Sequence, residues 1–172
     1  MLRKILTVLL VLFCFILQST VFGAISLGGV VPNIMMIITS SFGFMRGEKE
    51  GIVIGFFCGM LADIFFGDFL GLYALIFMYI GFLNGKFSRI FYPQDLKLPL
   101  ALIITSDLTY GMLYYVLFFM LRGRFDFSFY FLNVILPEAV YTIFMTIFVY
   151  PVILLINERL EDRERRSEQK FV

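Results

Sequence analysis

Three carboxylic acids stand inside apolar stretches of this sequence, Asp63, Asp107 and Glu138. An acid in such surroundings handles protons or cations, or organises helices, because burying it costs about 2.5–3.5 kcal/mol even on the mildest membrane-insertion scale. Asp107 lies in Thr105-Ser106-Asp107-Leu108-Thr109-Tyr110. It is either protonated and hydrogen-bonded to neighbours such as Tyr110, or part of a polar pocket; both readings stay open. Glu138 follows Pro137, and Pro is favoured at a first helical position, where a carboxylate is stabilised by the free N–H groups and the positive dipole end. Capping is therefore the expected role of Glu138. No Lys or Arg lies within an apolar stretch to pair with these acids, and Arg122 and Arg124, in an outer basic loop, are the only cations expected at that depth.

Other chemistry lacks its parts. The chain has no histidine, which removes the commonest general base and the commonest metal ligand. Ser40 and Ser41 have no base to activate them, no G-x-S-x-G elbow or G-K-[ST] phosphate loop occurs, and the acids lack metal-ligand spacing. Catalytic residues, metal sites and cofactors are accordingly expected to be none. Cys14 and Cys58 stand far apart in apolar runs and read as small packing residues. Nucleic acid is excluded for want of a basic stripe.

The sharpest pattern is structural. Glycines recur at every fourth position, Gly43, Gly47, Gly51, Gly55 and Gly59, with Asp63 in the same step and then Gly67 and Gly71; Gly81 and Gly85 repeat the spacing. Small residues at that period line one flank of a helix and let a neighbouring backbone approach closely. The ladder predicts a helix-packing surface, inside this chain or against a partner helix, with the first alternative favoured.

The elements that must carry these residues follow from hydropathy. The 172 residues are 60% hydrophobic, 19% aromatic and only 16% charged, against roughly 45–50% apolar and about 25% charged for soluble domains. No charge occurs from Ile5 to Met45, whereas residues 157–172 carry ten. A transmembrane helix needs about 20 apolar residues. Candidate runs are Ile5 to Phe22, Pro32 to Met45, Gly51 to Phe66, Leu70 to Leu83, Leu98 to Leu121 and Pro137 to Ile156. The expected class is an all-α integral membrane protein of six transmembrane helices, residues 1–156, with a charged cytoplasmic tail over 157–172. The short second, third and fourth runs are expected to extend into their polar flanks or to thin the bilayer. With the N-terminus inside, the inner segments hold twelve of the fourteen Lys and Arg residues, the asymmetry that marks cytoplasmic loops. Both termini are therefore expected in the cytoplasm. In the tail, Glu161 with Arg165 and Asp162 with Arg166 stand four apart, which favours a helical continuation.

Several stretches together resemble the rod shape-determining membrane protein family MreD: Leu17-Gln18-Ser19-Thr20, Pro32-Asn33, Arg46-Gly47-Glu48-Lys49-Glu50-Gly51, Ile54-Gly55-Phe56-Phe57-Cys58-Gly59-Met60-Leu61-Ala62-Asp63 running on to Leu70-Gly71, and Leu136-Pro137-Glu138-Ala139-Val140-Tyr141-Thr142. The resemblance implies a non-catalytic component of the bacterial inner membrane that serves the elongation machinery. It implies association with MreC, a bitopic protein, and through it with the MreB cytoskeleton and the peptidoglycan synthases of the lateral wall, in contact with membrane lipid. The family also resembles, in helix arrangement, the S components of energy-coupling-factor transporters, so a vitamin-binding S-type subunit is the alternative. S components typically carry A-x-x-x-A in the first helix, and here no two alanines stand four apart.

Overall fold

The computed structural model describes residues 2–26, 29–67, 69–90, 97–120, 123 and 126–168, and these fold almost entirely into helices. In chain order they are α1 (Leu2–Ile16), α2 (Ile34–Arg46), α3 (Glu48–Phe66), α4 (Leu72–Lys86), α5 (Lys97–Phe118), α6 (Phe127–Tyr130) and α7 (Leu136–Glu168). Two π-helical segments interrupt the α geometry, Leu17–Phe22 directly after α1 and Phe131–Ile135 between α6 and α7.

The centre of the molecule is α2. Every residue from Ile34 to Met45 is buried, and the helix packs against α3, α4, α5 and α7. It keeps to 13 residues, about 20 Å at 1.5 Å per residue, short of the roughly 30 Å of a bilayer core. The expected extension into polar flanks therefore does not occur at α2. Enclosure by the other helices explains why, since a helix that other helices surround does not have to match the lipid thickness. Gly47, with φ of +94°, turns the chain sharply from α2 into α3, a conformation open to glycine. The third run does extend, starting α3 at Glu48.

By length and composition, three helical stretches among the described residues can cross a membrane: Ile5–Phe22, Lys97–Phe118 and Phe127–Glu161. The last corrects the expected start at Pro137, because the helix already runs from Phe127 through the π segment into α7. Proline lacks an N–H and its ring presses on the carbonyl four residues earlier, here that of Asn133. The wider π turn ending at Ile135 re-aims those carbonyls just ahead of Pro137, and the helix continues. Pro151 also lies inside α7. Beyond Ile156, α7 carries on to Glu168, the helical continuation that the charge spacing suggests. Its root is fixed by Asn157, 1% exposed, which accepts from Arg46 Nε at the end of α2 and donates to Glu161 at 3.1 Å. This end of the bundle is called the tail end below, and the other the Asn33 end.

Candidate functional site

Helices α3 and α4 make the most extensive helix pair, and glycine explains it. In antiparallel register Gly51 faces Gly81, Gly55 faces Phe77, Gly59 faces Ala74 and Gly85 faces Glu48. A methyl group added at any of these glycines would come closer than 3.0 Å to opposing backbone, so the two main chains are in direct contact over the whole length. Gly43 on α2 meets the Gly81 carbonyl in the same way. Three rungs do other work. Gly47 and Gly71 sit in turns with positive φ, the latter with open space where a side chain would be, and Gly67 ends α3 against the Asp63 backbone.

Asp63 continues the glycine face of α3, and that places its carboxylate under the start of α4. Oδ1 accepts from the Tyr73 N–H at 2.9 Å and Oδ2 from the Ala74 N–H at 3.0 Å. Two of the four donors that every helix start leaves open are thereby satisfied, and the negative charge sits at the positive end of the helix dipole. Asp63 is 1% exposed, and each of its oxygens has a backbone partner.

At the Asn33 end, a cavity of about 350 Å³ opens between α1, α2, α3, α4, α5 and the α7 region. Its polar wall comprises Gln18, Ser19, Asn33, Tyr73, Tyr110 and Glu138. Both π segments reach it, the first through Gln18 and Ser19, the second through Val134. The start of α2 forms its floor, closed by two amide side chains. Gln18 Oε1 accepts from the Met35 N–H at 3.0 Å and Asn33 Oδ1 from the Met36 N–H at 3.1 Å. The Asn33 N–H in turn donates to Thr142 Oγ1 of α7 at 3.0 Å.

Of the acids singled out by the sequence, Asp107 and Glu138 come together here and Asp63 does not. Asp107 is 3% exposed and faces the side chains of Thr142 and Asn33, yet neither of its oxygens reaches hydrogen-bond geometry with them. It lies one layer behind the wall. Tyr110 stands within electrostatic reach of both Glu138 and Asp107, and its ring packs edge-on against Phe77 at 5.5 Å. Tyr73 stacks on Tyr114 and Phe118, each at 5.8 Å, so the α4–α5 side of the cavity is a wall of aromatic rings. The helix start expected to stabilise Glu138 is absent, since the spiral runs unbroken past it from Phe127. Arg122 and Arg124 lie outside the described residues.

Sequence reasoning missed Gln18 and Thr142 as contributors and gave Asn33 no role beyond its place in a motif. Asn33 carries a usable signal, an Asn directly before an apolar helix. Gln18 reaches its acceptor role across seventeen residues, and nothing in local sequence marks it. A second polar cluster also escaped notice: Asn84 Nδ2 donates to Ser106 Oγ at 2.7 Å and to the Ile80 carbonyl at 2.9 Å, tying the last turn of α4 to α5.

The helices and the site define a membrane protein whose polar side chains are spent chiefly on helix ends and helix contacts. Among the described residues no group of three or more Cys, Asp or Glu is placed to hold a metal. The model of one family, the rod shape-determining protein MreD, matches residues 1–159, and the chain belongs to that family. It is thus a rod-shape-determining protein of the bacterial inner membrane. No curated protein and no solved structure matches the chain.

Proposed function

We propose that the chain is a non-catalytic scaffold of the rod complex that crosses the membrane six times, binds an MreC-type bitopic protein, and so helps to position lateral peptidoglycan synthesis. The peptidoglycan synthases and the MreB cytoskeleton are reached indirectly. The observation that carries this reading is the family match over residues 1–159. The way the polar groups are used supports it: Asp63, Gln18 and Asn33 all accept from helix N-termini, an arrangement that builds a rigid body rather than a reaction centre. The glycine face is occupied by α4, so the ladder residues act as internal packing in this reading. The bitopic partner then meets another surface, such as the exposed apolar side of α1 with Leu9, Phe13 and Ile16. Copurification in mild detergent tests the scaffold: a bitopic wall-synthesis protein should come with the chain, and its consistent absence overturns the reading.

The topology has its own test. With six crossings and both ends in the cytoplasm, single cysteines at Gly29 and Gly123, in a background lacking Cys14 and Cys58, react with an impermeant thiol reagent from outside. A cysteine at Glu168 does not. Labelling at Glu168 in intact cells, with cell-wall access controlled, rules that topology out.

One observation favours the S-type transporter subunit as a second reading, the cavity of about 350 Å³ at the Asn33 end, a size suited to a small ligand. Against it stands the missing A-x-x-x-A motif. Recovery of an energising ATPase or a vitamin with the purified chain would decide for the transporter.

A further inference from the structure

We propose that the cavity between the two π segments is a binding site for a primary ammonium group, received by Glu138 with Asp107 behind it. The inference goes beyond the scaffold reading and does not depend on it.

Four observations converge. Among the described residues, the cavity wall carries one acid, Glu138, and no Lys or Arg. The second acid, Asp107, is buried with both oxygens short of hydrogen-bond geometry, so the site holds more negative capacity than its own groups satisfy. A buried acid without a partner is costly to ionise and keeps its proton, and a ligand cation that takes the place of that proton's charge removes the cost. The two amide oxygens of the wall are already engaged, Gln18 Oε1 by Met35 and Asn33 Oδ1 by Met36, and beside the neutral hydroxyls of Ser19, Tyr73 and Tyr110 the carboxylate is the acceptor that can carry charge. Finally, both π-helical segments reach this one cavity, and π segments occur frequently at functional sites.

The shape of the site selects the kind of cation. Calcium takes six to eight oxygen ligands and magnesium a near-ideal octahedron, and the described residues gather no group of three acids. An organic ammonium needs less: N–H donors for Glu138 and an aromatic surface for its carbon atoms and charge, which Tyr73 and Tyr110 supply. A primary ammonium offers three donors and a quaternary one offers none, so the carboxylates favour the former. Two sources carry this chemistry, the headgroup of phosphatidylethanolamine in the surrounding bilayer and a free small amine.

The test uses the full chain in nanodiscs of phosphatidylcholine alone, with ethanolamine as the probe and thermal unfolding and calorimetric binding as readouts. Ethanolamine should bind saturably, at least about tenfold more tightly than choline, while the neutral isostere 1,2-ethanediol gives no saturable signal. Glu138→Gln should weaken binding about tenfold or more and Asp107→Asn less, because Asp107 acts from behind the wall. Phosphatidylethanolamine added to the nanodiscs assigns the source. If it stabilises the chain and blocks ethanolamine, the headgroup is the ligand; if it does neither while ethanolamine still binds, a free amine is. The proposal is overturned if the wild-type chain responds to neither ethanolamine nor phosphatidylethanolamine, if ethanediol does as well as ethanolamine, or if Glu138→Gln binds unchanged. The three wild-type comparisons stand even if a variant fails to fold.

Discussion

Asp63 and Asp107 are both aspartates on long helices, buried to 1% and 3% exposure, and the structure treats them in opposite ways. Asp63 belongs to the α3–α4 hairpin, where glycines bring two backbones into contact and each carboxylate oxygen meets a backbone N–H. Asp107 belongs to the Asn33 end, where a cavity, two π segments and a second acid surround it and neither oxygen is fully bonded. The difference teaches that burial of an acid does not by itself mark function. What matters is whether the fold satisfies it: the hairpin is closed in on itself, whereas the Asn33 end retains unspent polar capacity.

The largest effect should come from breaking the closed region. Gly55→Leu or Gly59→Leu places a branched side chain where opposing backbone already lies within 3.0 Å, and a membrane helix pair has dispersion contacts and few other means of holding together. Accumulation in membranes and recovery of the proposed bitopic partner should both collapse. A leucine at Gly71, which has open space around it but a φ of +103°, should cost only the strain of a left-handed turn, about 1–2 kcal/mol. Normal accumulation of both the Gly55 and Gly59 variants would show that the helices are not locked by their backbones.

The next effect sharpens the contrast between the two aspartates. Asp63→Ala leaves the Tyr73 and Ala74 N–H groups without acceptors and should destabilise the chain by about 2–3 kcal/mol, the cost of losing a helix cap and stranding buried donors. Asp63→Asn keeps one acceptor oxygen and should cost about half as much. Unfolding midpoints in one detergent measure both. If Asp63→Ala unfolds no more readily than wild type, the cap does not stabilise α4.

Much of the closed region was legible in the sequence and little of the open one. The period-four glycines are a direct image of a helix flank, and Asp63 falls in the same line, although its duty became visible only once α4 was known to start beneath it. Short polar caps such as Asn33 can be read locally. Pro137 misled because proline at a helix start and proline after a π turn look alike in sequence; the π segment has no compositional signature, and it carries Glu138 away from any free helix end. The full burial of α2 was equally hidden. Its residues differ little in apolar content from those of α1, which faces outward along Ile5, Leu9 and Phe13, and which helix is enclosed is decided by all the others. Gln18 and Thr142 act over sequence separations of 17 and 109 residues, so only the assembled bundle reveals them.

The smallest expected effect lies at Asp107, and it separates a structural acid from one that works by its charge. Asp107→Asn retains shape and hydrogen-bonding capacity and should leave folding and partner recovery near those of wild type. From sequence alone, Asp107→Leu is expected to impair both by stranding polar neighbours. The geometry reduces that expectation. Neither Asp107 oxygen is within hydrogen-bond geometry of a donor, and the Asn33 and Met36 N–H groups have their acceptors in Thr142 Oγ1 and Asn33 Oδ1, so removing the carboxylate breaks no hydrogen bond that the structure contains. Destabilisation by Asp107→Leu should therefore stay within about 1–2 kcal/mol, below that of Asp63→Ala, because the loss is confined to a change of shape and one polar contact. Cell-shape rescue then tells the roles apart. If Asp107 only fills space, rescue follows stability and the Asn variant rescues fully. If its charge serves the cavity, the Asn variant loses rescue while its complex with the partner is recovered intact. That second outcome would place the function of the Asn33 end in its unspent carboxylates rather than in its packing.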